Sequence, residues 1–191
     1  MSRILPILFN IDMIRAILEN RKTVTRRIIK GNAAGVLNSP YHKDHPEVPD
    51  KLLLRKLCKA PYDQGDILYV RETWAKIAGK YIYRADHAPA TTTWHPSIHM
   101  PKEAARIWLK VMDVRVERLQ EITQDQVIRE GITELDIEHL ALLGEHYDIP
   151  FAALWNSTLK KKDIALYGWG ANPWVWVVEF ERCEKSEEIE L

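Results

Sequence analysis

Apolar positions change their spacing twice within the first thirty residues. Residues 4–9 (Ile-Leu-Pro-Ile-Leu-Phe) form a continuous apolar run, which predicts a short strand. Pro6 confines it to a sheet edge or a strand start, because proline has no N–H for a ladder. From Ile11 the spacing turns helical, with Ile14, Ile17 and Leu18 on one face and Asn10 or Asp12 as the cap. Asn20 predicts the stop, since asparagine tolerates positive φ. A run rich in β-branched residues then predicts a strand from about Val24.

Residues 31–63 read as an insertion or long loop punctuated by glycine and proline, with one short helix over Lys51–Cys58. Gln64-Gly65-Asp66 predicts a turn into a strand over 67–71, and residues 81–84 predict another. Residues 86–103 read as irregular. Between Arg106 and Leu119 a long strand is expected, with Ile107, Leu109 and Val111 alternating before the phase shifts to Met112, Val114 and Val116. A one-residue shift flips the faces, so a bulge is expected near Met112-Asp113. Such bends help small barrels close.

Thr123 and Gln126 have capping-box spacing, and the helix they start should stop near Gly131. Thr133 can cap the next helix, with Ile137, Leu140 and Ala141 on one face before Gly144. A third follows Pro150, striped by Phe151, Leu154, Trp155 and Leu159. The final strand, Trp174–Phe180, begins apolar on both faces and should be buried. The expectation is one α+β domain over 1–191, a small β-barrel with flanking helices and insertions around 31–63 and 86–103.

The 191 residues suffice for a real core, and no apolar run approaches the roughly 20 residues of a membrane span. The start, Met1-Ser2-Arg3-Ile4-Leu5-Pro6, lacks signal-peptide features. Cys58 and Cys183 lie far apart and form no metal or disulfide framework. A reducing cytoplasm is therefore the expected setting. Charge balances at 27 Lys+Arg against 27 Asp+Glu, which argues against coating nucleic acid by bulk electrostatics. The balance is uneven, however. Arg15, Arg21, Lys22, Arg26, Arg27 and Lys30 face one acid, Glu19, and Lys51, Arg55, Lys56 and Lys59 face none within residues 51–60, while the C-terminal tail is acidic. Either these are solvated faces of separate elements or a basic patch meets a polyanion.

Lys22-Thr23-Val24-Thr25-Arg26-Arg27 is the densest polar cluster, where a helix hands over to a strand. Threonine becomes a nucleophile when a base takes its proton, and a lysine of lowered pKa can be that base. Arg21, Arg26 and Arg27 would lower the Lys22 pKa if close. The alternative is a row of exposed cations around a strand threonine. His42-x-x-His45 and His95-x-x-x-His99 lack cysteine or His-Glu-x-x-His context and read as surface or hydrogen-bonded histidines. Trp108, Trp155, Trp174 and Trp176 read as core, whereas Trp74 and Trp94 suit a pocket wall. Arg71 and Glu72 form an ion pair at a strand end or line the same pocket.

Asn20-Arg21-Lys22-Thr23-Val24-Thr25-Arg26-Arg27 resembles the signature of the ASCH family, a branch of the PUA-like fold: Gly-x-Lys-x-x-(Glu or Thr)-x-Arg after the first helix. Lys22, Thr25 and Arg27 match, and Asn20 replaces the glycine. Gln64–Leu68, Leu119–Ile132 and Asn172–Phe180 resemble the family's later segments. Val70–Trp74 and Trp94–Pro101 are similar to ASCH-like proteins often encoded by phages. The resemblance implies a PUA-like barrel. Small ASCH enzymes hydrolyse N4-acetylcytidine with a Lys, a Thr and a Glu and no metal or other cofactor, which implies Lys22 as base, Thr25 as nucleophile and Glu130 as orienting carboxylate. Arg27 or a backbone N–H would hold the oxyanion, and Arg27, Arg71, Glu72, Trp74 and Trp94 would bind substrate. This chain is nearly twice as long as those enzymes. Other ASCH-like proteins bind or cleave RNA, so the alternative is an RNA module in which Arg21, Arg26, Arg27 and the Lys51–Lys59 stretch meet phosphates. A phage accessory protein without catalysis is a third reading. The expected state is a monomer binding a nucleoside or modified nucleobase, with no membrane partner.

Overall fold

The computed structural model describes residues 2–30, 33–86, 92–143 and 146–185. Its strands are β1 (Ile4–Leu8), β2 (Val24–Ile28), β3 (Ile67–Arg71), β4 (Trp74–Ile77), β5 (Lys80–Tyr83), β6 (Trp108–Arg118) and β7 (Trp174–Cys183). The helices are α1 (Ile11–Leu18), α2 (Ala33–Leu37), α3 (Pro40–Asp44), α4 (Asp50–Leu57), α5 (Gln124–Arg129), α6 (Glu134–Leu142), α7 (Ile149–Ser157) and α8 (Ile164–Tyr167). Five strands form one mixed sheet in the order β1-β3-β6-β7-β2, and β4 and β5 form a separate hairpin. None of the helices is long and apolar enough to cross a membrane.

Pro6 sits on the edge strand β1, which runs parallel to β3. Asn10 caps α1 through Oδ1, which accepts from the Met13 N–H at 2.9 Å, and Asn20 ends the turn at φ 58°. The phase shift in β6 is a register shift between Val111 and Asp113 against β7. Met112 takes the extra position and is exposed, leaving Val111 and Val114 both buried. Thr123 and Gln126 form the capping box of α5, and Gly131 follows at φ 102°.

Three expectations change. The described part of the expected insertion, residues 33–63, folds into α2, α3 and α4 where one helix was expected. Residues 74–77 pair with 80–83 as a hairpin, closed by Ala78 and Gly79 at positive φ. Barrel closure is absent: β1 and β2 are the two edges of the sheet, and no ladder joins them among the described residues. A side-chain bond links them instead, since Arg27 Nη2 donates to the Leu8 carbonyl at 3.1 Å. Ile14 and Ile17 of α1, the connection between those edges, pack with Ile7, Val70, Trp176 and Val178 in the main core. The other face of β2 and β7 packs Val24, Val175 and Val177 against Leu119, Val127, Phe151 and Trp155. Both faces being covered explains the continuous apolar run at the start of β7. Position 144 and residues 87–91 of the expected irregular segment lie outside the described residues.

Candidate functional site

The site lies along the free edge of β2. Phe180 N–H donates to the Thr23 carbonyl at 2.9 Å and Ile29 N–H to the Trp174 carbonyl at 3.2 Å. In an antiparallel pair this alternation turns the backbone of Thr25 and Arg27 towards β7 and that of Val24, Arg26 and Ile28 outward. The turn after α1 determines where Lys22 goes. Arg21 and Lys22 N–H groups both donate to the Ala16 carbonyl, at 2.8 and 3.0 Å, and Thr23 N–H donates to the Arg129 carbonyl at 2.9 Å. Lys22 is thereby carried beneath the end of α5.

The Lys22 side chain is wholly buried, and its ammonium donates to three oxygens. These are the Val24 carbonyl at 2.9 Å, the Glu130 carbonyl at 2.8 Å and Glu130 Oε2 at 2.7 Å. Burial pushes the Lys22 pKa below its ordinary value; Glu130 pulls it up, and Arg27 and Arg26 add to the lowering. Glu130 Oε1 accepts from Arg26 Nη1 at 3.0 Å, while Arg26 Nη2 donates to Gln126 Oε1 at 2.7 Å and Glu117 Oε2 at 3.2 Å. Arg115 continues the chain from Glu117 to Glu179, which also holds Arg129. A continuous run of opposite charges thus fixes Lys22 and Arg26, which is what lets two cations stay inside the protein.

Thr25 is also buried. Together with Glu130, Arg26, Arg27, Trp155 and Thr158 it lines a cavity of about 30 Å³, room for about one water. Larger hollows open on either side. One of about 540 Å³ shares Arg26, Arg27, Trp155 and Thr158 with it, and one of about 580 Å³ shares Met13, Arg27 and Thr158. The arrangement brings the Thr25 side chain, two arginines and the carboxylate that holds the buried Lys22 amine to one cavity.

The other candidate residues lie elsewhere. Glu72 is buried but pairs bidentately with Arg106, at 2.8 and 2.9 Å, rather than with Arg71; burial raises its pKa against the pull of Arg106. Arg71 donates to the Ile98 carbonyl at 3.2 Å and lies over Tyr69. Trp74 packs on Tyr81 and His95 within the β4–β5 region. Trp94 is half-buried. None of these four lines the cavity of Thr25 or the two hollows beside it. Sequence reasoning missed Glu117, Gln126 and Thr158. Gln126 carried a signal, as its capping-box oxygen accepts from Thr123 N–H at 3.2 Å and from Arg26. Glu117 and Thr158 carried none, because only the fold brings them near β2.

No family model and no curated protein matches the chain. Among solved structures, it is similar to an Enterococcus faecalis V583 protein described by the family-model DUF984, with TM-score 0.43 and 12% identity over 100% of this chain and 81% of that one. It is also similar to an ASCH domain from Lactobacillus crispatus JV V101, with TM-score 0.38 and 10% identity over 94% of this chain and 79% of that one.

Proposed function

We propose that this chain is an amidohydrolase that removes the acyl group from an acylated nucleobase or nucleoside, with N4-acetylcytidine as the simplest candidate and no metal in the reaction. The observation that supports this reading is the buried Thr25 side chain in the same cavity as Glu130, whose carboxylate holds the buried Lys22 amine at 2.7 Å.

Lys22 acts as the neutral amine, turned from one of its carbonyl partners towards Thr25. It takes the hydroxyl proton as Thr25 Oγ1 bonds to the acyl carbon, and the carbonyl π pair moves onto oxygen. The outward N–H of Arg26 at the free strand edge donates to that oxyanion, with Arg27 supplying positive charge. Collapse breaks the C–N bond, and Lys22 returns the proton to the departing exocyclic nitrogen. Water then attacks the Thr25 ester. Lys22 takes its proton and hands it to the Thr25 oxygen as the carboxylic acid leaves. Glu130 orients Lys22 throughout.

The test is chromatography of N4-acetylcytidine incubated with the wild type, Thr25→Ala and Lys22→Met. Cytidine release by the wild type alone, with all three proteins folded by circular dichroism, is the expected result. Release undiminished in Thr25→Ala overturns the assignment of the nucleophile. No release by folded wild type overturns this substrate.

A further inference from the structure

The hollow of about 540 Å³ beside the Thr25 cavity is lined by Arg26, Arg27, Lys30, Lys59 and Lys160 and by one acid, Asp163. These cations come from three separate parts of the chain: β2 and its end, the segment after α4, and the segment after α7. Only folding gathers them. Arg26 is already matched by Glu130 and Glu117, but Arg27, Lys30, Lys59 and Lys160 form no ion pair with another described residue. Against a chain of zero net charge, this is a local excess of positive charge facing a concave space.

Two further observations give the excess a direction. Arg27 is partly buried, and its guanidinium donates only to carbonyls, that of Arg26 at 3.3 Å and that of Leu8 at 3.1 Å. Burial lowers its pKa against the pull of Tyr62 and Glu130, and no carboxylate of a described residue forms an ion pair with it. The Arg26 side chain is wholly buried and lines the same hollow, yet its Nε has no hydrogen-bond partner. Tyr62, Trp155 and Trp176 give the same space an apolar wall.

We propose that this hollow is a phosphate subsite, so that the substrate is an acylated nucleotide carrying a phosphate monoester or diester rather than the free nucleoside. Arginine forks and lysine ammoniums are the groups that hold phosphate oxygens, and the aromatic wall accepts the sugar or base. Shared lining by Arg26 and Arg27 puts the phosphate next to the Thr25 cavity, where the acyl group would react. The inference rests on the amidohydrolase reading for the acyl group alone; the phosphate subsite is read from its own residues.

Isothermal titration of cytidine 5′-monophosphate, cytidine and pentacytidylate RNA tests it without requiring turnover. The wild type should bind the monophosphate at least tenfold more tightly than cytidine. In Lys30→Ala/Lys59→Ala/Lys160→Ala, three exposed side chains outside the proposed chemistry, that preference should fall severalfold while cytidine affinity and N4-acetylcytidine turnover are unchanged. Pentacytidylate binding tighter than the monophosphate supports the subsite with a diester as its source, and equal binding supports it with a monoester. Equal affinity for all three probes, no binding of any, or an undiminished preference in the triple variant overturns the subsite. Monophosphate binding without deacylation overturns the hydrolase reading and supports the subsite.

Discussion

Gly131 and Ala16 approach so closely that a Cβ on Gly131 would lie 2.9 Å from the Ala16 Cβ. The same Cβ would lie 3.4 Å from the Lys22 Cβ, and Gly131 itself has φ 102°. The glycine that ends α5 therefore lets the helix end settle against α1 and over the stem of Lys22. It contributes to the site by the room it leaves.

Gly131→Ala should destabilise the protein by about 1–3 kcal/mol, because both the φ and the contact oppose a side chain there. It should also displace Lys22 and lower turnover. Urea unfolding with an unchanged slope and a lower midpoint is the expected reading; a wild-type midpoint would contradict the close approach.

Glu130 is the single acid between Lys22 and Arg26. Glu130→Ala leaves two buried cations facing each other and should cost about 3–5 kcal/mol. Lys22→Met leaves Glu130 paired with Arg26 and should cost less. The order of the two denaturation midpoints checks this, and the reverse order would show that Arg26 does not hold the carboxylate.

Turnover should depend on pH through Lys22. Burial lowers its pKa below the ordinary 10.5 despite Glu130, so the neutral amine appears at lower pH than in solution. The rate should rise with pH and level off before about 10.5. Lys22→Arg, whose guanidinium stays charged, should abolish the rise. A wild-type profile still climbing beyond that value would contradict the base role.

Asp66 gives an acid-side prediction. Burial works to raise its pKa, but the Arg3 side chain and the backbone N–H groups of Asp63 and Arg3 outweigh it and hold it below 3.8. The folded state thus binds the proton less readily than the unfolded one. The contribution to stability is present above about 3.8 and fades as pH falls through the lower folded value. Denaturation midpoints of the wild type should decline over that window, and those of Asp66→Asn should start lower and decline less.

Local signals in the chain were strong where one residue type has one physical use. Asn10 as cap, Asn20 at φ 58°, the bulge after Val111 and the stop at Gly131 all lie where the pattern puts them. The 31–63 segment misled because its helices are short, five residues each in α2 and α3, with too few turns to show a periodic stripe. The hairpin at 74–83 was half legible, because its turn uses Ala78 at positive φ, a residue that gives no turn signal. Glu72 was read beside Arg71, its neighbour in sequence, yet Arg106 takes it from 34 residues away.

By itself the sequence determined the local geometry: where the chain turns, which faces of its strands and helices are apolar, and the Lys22–Thr25 spacing at a helix-to-strand junction. These follow from backbone and side-chain preferences that act within a few residues. Tertiary structure decided the rest. It left β1 and β2 as open edges and joined Lys22 to Glu130 across 108 residues. It also gathered Arg27, Lys30, Lys59 and Lys160 around one hollow. Such relationships arise from burying apolar faces against one another, and no local preference encodes which distant charges that burial brings into contact.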